Sequence, residues 1–508
     1  MLVQDFLQNS AQRIPNKTAL VYRDQRLTYS QIDASANALA YALVQQGLRL
    51  GDRVAVCLPN CTEAVISVFG ILKASGVFVF LHPTIKEKKL RYILNNCRAA
   101  ALICGKLHAS VVRKKPEGFP TLGTVIQTGS DEFRPGTPDL LSFNECIHGS
   151  TAKPPADRAA DTDLACIIYT SGSTGEPNGV VCGHDNIDFV SNSIITYLEN
   201  SPEDIVINVL PFSFDYGLYQ LLMVFRFGGT LVLEPAFVYT SEILKRIEIE
   251  KATGFPIVPT ILAILLQKLW KPEQLRSLRY MTNTAAALPV NHIQSIREKL
   301  PWVKFYSMYG LTECKRALYL PPEQLDARSD SVGIAIPGTK VWLEDEQAYR
   351  VGPGVTGELV IQGPHVMRGY WEDPEATAAI YKDAPTAANR ILYSGDLFRM
   401  DEEGYYYFVS RKDDMIKSRG EKISPREIEE AAYGIEGVTE AAAIGVPDPV
   451  LGQKIKLLVV SSDTSLTEIQ VRHRCSQTLE DFMVPQIVEI RESLPKTENG
   501  KIKKSALQ

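Results

Sequence analysis

The sequence predicts an α/β protein with a large N-terminal domain of two α/β sheet subdomains plus a β-rich subdomain, and a small α+β C-terminal domain. Three observations carry this. β-rich runs alternate with amphipathic stretches through roughly the first four hundred residues. Shorter strands with frequent glycines begin within that span, at Gly333, and a separate α+β pattern follows Arg411. A chain of 508 residues is also too long for one compact core.

Arg53–Leu58 reads as a buried strand, followed by a helical pattern from Thr62 to Ala74. Gly76–Leu81, a helix near Lys86–Asn96 and Ala99–Cys104 continue the rhythm, which implies parallel sheets covered by helices. It returns from Asp204 to Pro235 and from Gly254 to Glu313. Gly357–Gly363 belongs to the β-rich part. Beyond it come a helix near Pro425–Tyr433, strands near Ala441 and Leu457, and a helix near Leu466–Leu479. The polar run Ser410-Arg-Lys-Asp-Asp414 separates the parts, giving units 1–409 and 415–508 with a linker at 410–414. No fixed-period repeat is visible, which argues against a solenoid.

Hydrophobic residues make up 45% and charged residues 22%, the balance of a soluble globular protein. A net charge of −5 without a basic stripe gives no electrostatic footprint for nucleic acid. Met1-Leu-Val-Gln-Asp-Phe6 is not a secretory start, and the apolar runs are too short to span a bilayer, so a cytoplasmic protein without a membrane partner is expected. The nine cysteines lack paired metal-site spacing and read as reduced structural thiols.

The most informative stretch is Ile167-Ile-Tyr-Thr-Ser-Gly-Ser-Thr-Gly-Glu-Pro-Asn-Gly-Val-Val181. Between two β-like runs it packs hydroxyl donors Thr170, Ser171, Ser173 and Thr174 among Gly172, Gly175 and Gly179. Glycines admit close approach of backbone amides to an anion, and hydroxyls add donors, a chemistry suited to a triphosphate. It is not a Walker loop, because no Gly-Lys-Ser/Thr opens a helix after it. Gly352-Pro-Gly-Val-Thr-Gly357 matches a dinucleotide fingerprint formally, but a strand-like run follows where a helix is required.

At this loop the chain resembles the adenylate-forming superfamily of acyl-CoA synthetases, nonribosomal peptide synthetase adenylation domains and luciferases. Four further segments match in order: Tyr309-Gly-Leu-Thr-Glu313, Tyr393-Ser-Gly-Asp396, Ser410–Gly420 and Leu494–Lys501. The resemblance implies ATP and Mg²⁺ as cofactors, with Glu313 holding the metal and Thr312 touching the α-phosphate. It implies that Tyr309 stacks on adenine, with Gly310 and Ala285 beside the nucleotide. Asp396 and Arg411 would hold the ribose, and Lys501 would bridge carboxylate and α-phosphate. A cation there offsets developing charge, which is how transfer to phosphorus is mostly catalysed. The family usually has Lys where this chain has Asn178, so part of the pyrophosphate attraction is expected to be missing. The C-terminal domain is implied to be mobile, with Asp413 at the hinge and Gly420 lining a thiol tunnel.

Leu210-Pro-Phe-Ser-Phe-Asp-Tyr-Gly-Leu-Tyr219 bears on the acid. Phe214-Asp215 resembles amino-acid adenylation domains, where CoA ligases commonly carry His. A carboxylate in an apolar stretch needs a partner, and a substrate α-ammonium would supply one. The alternative is a helix-capping aspartate for a helix starting at Tyr216. Matched residue by residue, the pocket would include Tyr216, Tyr219, Ile257, Thr282, Thr284, Met308 and Arg316, a mainly neutral, small lining apart from the arginine. That suits a compact side chain or ring. L-Proline is the leading expectation, with a likeness to stand-alone proline-activating ligases of anatoxin-type pathways. No carrier-domain segment follows Lys501, so the expected thiol acceptor is a separate phosphopantetheinyl carrier protein, with CoA the rival.

Overall fold

The computed structural model describes all residues except 130–138, 149–154, 156–157, 172–176, 238, 285–287, 384–389, 419–420, 449–450, 498–500 and 508. Among the described residues four sheets organise the chain, three of them up to Arg411 and one beyond it. The first α/β sheet has seven strands. Asp139–Ser142, Thr124–Gln127, Ala99–Cys104, Arg53–Cys57, Val77–Phe80 and Leu164–Ser171 run parallel, in that order. Pro177–Gly183 pairs antiparallel with Leu164–Ser171 at its edge. The runs read from sequence at 53–58, 62–74, 76–81, 86–96 and 99–104 form these strands and the helices Thr62–Lys73 and Glu87–Asn96.

The second α/β sheet has nine strands. Its parallel centre is Lys304–Tyr309, Tyr280–Asn283, Gly254–Ile257, Ile205–Asn208, Thr230–Leu233 and Thr18–Tyr22, with antiparallel additions at both ends. One continuous apolar core joins the two sheets through Thr62–Lys73 and Asp215–Phe227. Both helices are apolar around nearly their whole circumference, as helices buried between layers must be. Phe69 of one stacks on Phe225 of the other at 5.0 Å.

Residues 340–411 build a third, antiparallel sheet of six strands. The fourth sheet, with five strands between Ile416 and Ile490, carries helices Pro425–Tyr433 and Glu468–Thr478 and has its own core around Ile423, Ile428 and Leu457. The polar run at 410–414 does not lie wholly between the units. Ser410 and Arg411 complete a strand, pairing with Leu397 and Asp396, and only Lys412–Asp414 form the turn. The C-terminal unit is tied to the rest through Ser424 Oγ, which donates to the Val409 carbonyl at 2.7 Å. Asn291 Nδ2 donates to the Tyr433 carbonyl at 3.1 Å. Among the described residues no helix is long and apolar enough to cross a membrane.

Candidate active site

Most of the residues singled out from the sequence sit at or just beyond the carboxyl ends of the parallel strands of the second sheet, where ligands of open α/β sheets bind. Ile257, Asn283 and Tyr309 end three neighbouring strands, and Thr284 and Gly310 follow directly. The helix that opens at Asp215 follows a fourth, Ile205–Asn208. Asp396 enters from the third sheet. Its Oδ2 accepts from the Tyr309 hydroxyl at 2.6 Å and its Oδ1 from Arg411 Nε at 3.1 Å. Burial pushes the Asp396 carboxyl up despite Arg411, Tyr309 and Lys501 beside it. The Tyr309 ring meets Phe398 edge-to-face at 4.9 Å, an aromatic neighbour that no sequence motif pointed to.

Glu313 lies half-buried in the turn after Tyr309, and its Oε1 accepts from the Tyr370 hydroxyl at 2.7 Å. Thr312 precedes it in the same turn, also half-buried. Mg²⁺ is usually bound through one or two carboxylates plus substrate phosphates, not by an all-protein cage. Glu313 fits that use: a carboxylate has about four acceptor sites, of which Tyr370 takes one. Tyr370 was not anticipated, because it comes from a distant loop with no motif around it.

The runs on either side of the glycine–hydroxyl segment pair antiparallel, with Thr170 opposite Asn178 and Ser171 opposite Pro177. Thr170 Oγ1 donates to the Asn178 carbonyl at 3.4 Å. The second β-like run is therefore a paired strand, which is why no helix N-terminus follows as in a Walker loop. Gly172, Ser173, Thr174, Gly175, Ala285 and Gly420 lie outside the described residues, as does the Ser171 side chain.

The predicted acid pocket comes together. Tyr216, Tyr219, Ile257, Thr282, Thr284, Met308 and Arg316 are all buried. The Tyr216 hydroxyl lies 2.5 Å from Thr282 Oγ1, and Arg316 Nη1 donates to Thr284 Oγ1 at 2.6 Å with its guanidinium 5.3 Å from the Tyr216 ring centre. Met308 Sδ accepts from the Tyr197 hydroxyl at 3.0 Å.

Two expectations are corrected here. The helix begins at Asp215, its N-cap position is Phe214, and no side-chain capping bond is made, so Asp215 is not a cap. The lining is also not mainly neutral. Lys315, which sequence reasoning passed over, is buried with Nζ 3.2 Å from Asp215 Oδ2 and 4.9 Å from the Tyr219 ring centre. Burial pushes the Asp215 carboxyl up, but Lys315, then Arg316 and Lys501, outweigh it and hold the group below its ordinary value. A lysine two residues past Glu313 gives no sequence signal of its inward direction, because a one-residue change in turn geometry would send it to solvent.

Lys501 reaches the same cleft. Its residue remains exposed, yet Asp215, Asp396 and Glu313 all act on its ammonium, with Arg411 opposing them. The two are compatible, since a residue lining an open cleft keeps water contact with protein on most sides. Surrounding protein holds its ammonium below the ordinary lysine range. The C-terminal unit thus brings its tail lysine under the influence of carboxylates from the second and third sheets. Asp413 is exposed in the turn that connects the units.

A cleft with this arrangement can hold a carboxylic acid beside a nucleotide under a common cation. Comparison with known proteins agrees. Residues 7–371 match the family model of the AMP-binding enzyme, and residues 427–501 match that of the AMP-binding enzyme C-terminal domain. The chain is 32% identical to a long-chain-fatty-acid–CoA ligase of Bacillus subtilis, over 98% of this chain and 93% of that protein. It is 29% identical to tyrocidine synthase 2 of Brevibacillus parabrevis, over 99% of this chain but 13% of that much longer protein. The crystal structure of the anthranilate CoA ligase AuaEII in complex with anthranoyl-AMP superposes with a TM-score of 0.91 at 27% identity, covering 100% of this chain and 96% of that one. The cofactors of the present chain are ATP and Mg²⁺, those of adenylate-forming ligases. The chain belongs to the AMP-binding enzyme family, as an AMP-forming acid–thiol ligase of the adenylate-forming superfamily.

Proposed function

We propose that the chain activates an amino acid, with L-proline the best candidate, as aminoacyl-AMP and passes the aminoacyl group to the phosphopantetheine thiol of a separate carrier protein. The observation that carries this reading is Asp215, a buried carboxylate in the acid pocket whose partner is an ammonium group, that of Lys315. A buried charge must be paired, so this is a position at which the α-ammonium of an amino acid is held. Tyr216 is tied to Thr282 and Arg316 Nη1 to Thr284, while the buried Tyr219 hydroxyl and Arg316 Nε make no hydrogen bond among the described residues. The neutral members Tyr216, Tyr219, Ile257, Thr282, Thr284 and Met308 add ring and methyl surface, which suits a compact aliphatic ring.

In this reading Tyr309, Asp396 and Arg411 bind the nucleoside, with Gly310 and Ala285 beside it, and Thr170–Gly175 hold the phosphates. Thr312 contacts the α-phosphate. Lys501 offsets the charge that develops as the carboxylate oxygen attacks phosphorus. Glu313 holds Mg²⁺, which supplies further neutralisation of phosphate oxygens when bound. The C-terminal unit then turns about Asp413 to bring the Gly420 loop and a thiol to the acyl-AMP.

A second reading, an acyl- or aryl-CoA synthetase, is favoured by the CoA ligases among the relatives and by the two cations, Lys315 and Arg316, set beside one carboxylate. A long alkyl tail fits poorly there, since its burial would strip water from both cations. ATP–pyrophosphate exchange with amino acids, their des-amino analogues, and fatty and aryl acids tests the two. Exchange led by des-amino acids would overturn the amino-acid reading, and mass spectrometry of thioesters formed with CoA or with carrier proteins assigns the acceptor.

A further inference from the structure

Lys315 is set in the pocket by an unusual backbone. It adopts φ +65°, a conformation that side-chain-bearing residues rarely take and that persists only where surrounding structure enforces it. Its amide donates to the Leu311 carbonyl at 2.6 Å, closing the turn, and its carbonyl packs so closely on Gly310 that a Cβ there would collide with it. The strained turn carries the side chain inward, where the ammonium is buried against Asp215 with Nζ 3.2 Å from Oδ2. Lysine is almost never fully buried unless paired, so the pair is a built feature of the site.

We propose that Lys315 is a positioning residue for substrate recognition: an internal counter-cation that keeps Asp215 ionised in the empty pocket, so that an incoming α-ammonium meets a carboxylate already charged. This rests on the amino-acid reading above. Without Lys315, Asp215 would face a desolvated pocket with only Arg316 and Lys501 as cationic neighbours. Burial would then favour the neutral acid. The other titratable groups around Asp215 are Tyr219, Cys166, Cys182 and Cys314. Burial raises Tyr219, Cys166 and Cys314, whereas a hydrogen bond from Cys166 lowers Cys182.

The test is the pH dependence of kcat/KM for the preferred amino acid in ATP–pyrophosphate exchange, from about pH 6 to 9, which reports ionisation of the free enzyme. Lys315→Met is expected to lose activity progressively below neutrality, by about tenfold relative to wild type for each pH unit that the carboxyl is raised above the assay pH. Lys315→Arg, which keeps the charge, should restore the wild-type shape. Repeating the series in a Cys182→Ala background separates the thiol from the carboxyl. Lys315→Gln serves in place of Lys315→Met if the latter does not fold. An amine-bearing substrate with the same profile shape in wild type and the neutral variants overturns this inference alone. Failure of wild type to activate any amine-bearing acid overturns both it and the amino-acid reading.

Discussion

The Tyr309 hydroxyl donates to Asp396 Oδ2 at 2.6 Å, joining the end of a parallel strand of the second sheet to the third sheet. Arg411 takes the other oxygen at 3.1 Å. Asp396 is therefore oriented by the protein itself, and lone pairs remain for the ribose hydroxyls of the proposed reading.

Asp396→Asn is expected to reduce kcat/KM for ATP about 10–100-fold, the loss of one to two hydrogen bonds to a charged group. Its effect on stability should be the opposite. A carboxyl whose folded value is raised contributes stability at acid pH that is lost as pH rises through that value, so ionised Asp396 opposes folding near neutrality. Arg411 stays largely exposed and loses little when its partner is neutral. The thermal midpoint at pH 7 should be maintained or raised, and a clear fall would assign Asp396 a mainly structural role.

Asp215→Asn should behave in the reverse way. Asp215 is held below its ordinary value, so it contributes stability present above the unfolded carboxylate pKa and lost as pH falls through the folded one. At pH 7 the substitution strands a buried Lys315, at a cost of about 3–5 kcal/mol. Adding Lys315→Met should recover most of that loss. A double-mutant cycle on denaturant midpoints measures the coupling, and additive effects would mean that the pair contributes nothing.

Lys501→Ala should slow acyl-AMP formation at least about a hundredfold, the scale of removing one transition-state donor. Thioester formation from supplied acyl-AMP should persist. Because the Lys501 ammonium is held below the ordinary lysine value, its charge is lost earlier as pH rises, and adenylation should decline on the alkaline side. Lys501→Arg keeps the charge throughout, so any residual adenylation in that variant should lack the alkaline decline. A decline of the same shape in both proteins would place the ionisation elsewhere.

Asp413→Pro is expected to preserve acyl-AMP formation and to abolish transfer to the thiol. In the arrangement described, the turn is closed by the amides of Lys412, to the Gly395 carbonyl, and Asp414, to that of Arg411. Proline at 413 removes neither donor, but fixes φ and so blocks torsion to a second arrangement. Pyrophosphate exchange and thiolation assays on one preparation separate the half-reactions, and equal losses in both would sink the hinge assignment.

Sequence alone determined the α/β architecture, since buried parallel strands such as Val54–Val56 and Ala101–Ile103 must be apolar on both faces and their helices amphipathic or wholly apolar. It also carried the family membership, because Thr170, Glu313, Asp396, Arg411 and Lys501 sit in motifs that resemble the family's in type and order. Only tertiary structure decided who pairs with whom. Asp215 keeps a cap as the alternative to a substrate ligand until the fold places Lys315 against it, and Tyr370 becomes a partner of Glu313 across a gap of 57 residues. Such pairings depend on turn torsions and side-chain direction summed over distant segments, which local patterning does not encode. The direction of Lys315 was set by a positive φ at a residue type that seldom adopts one.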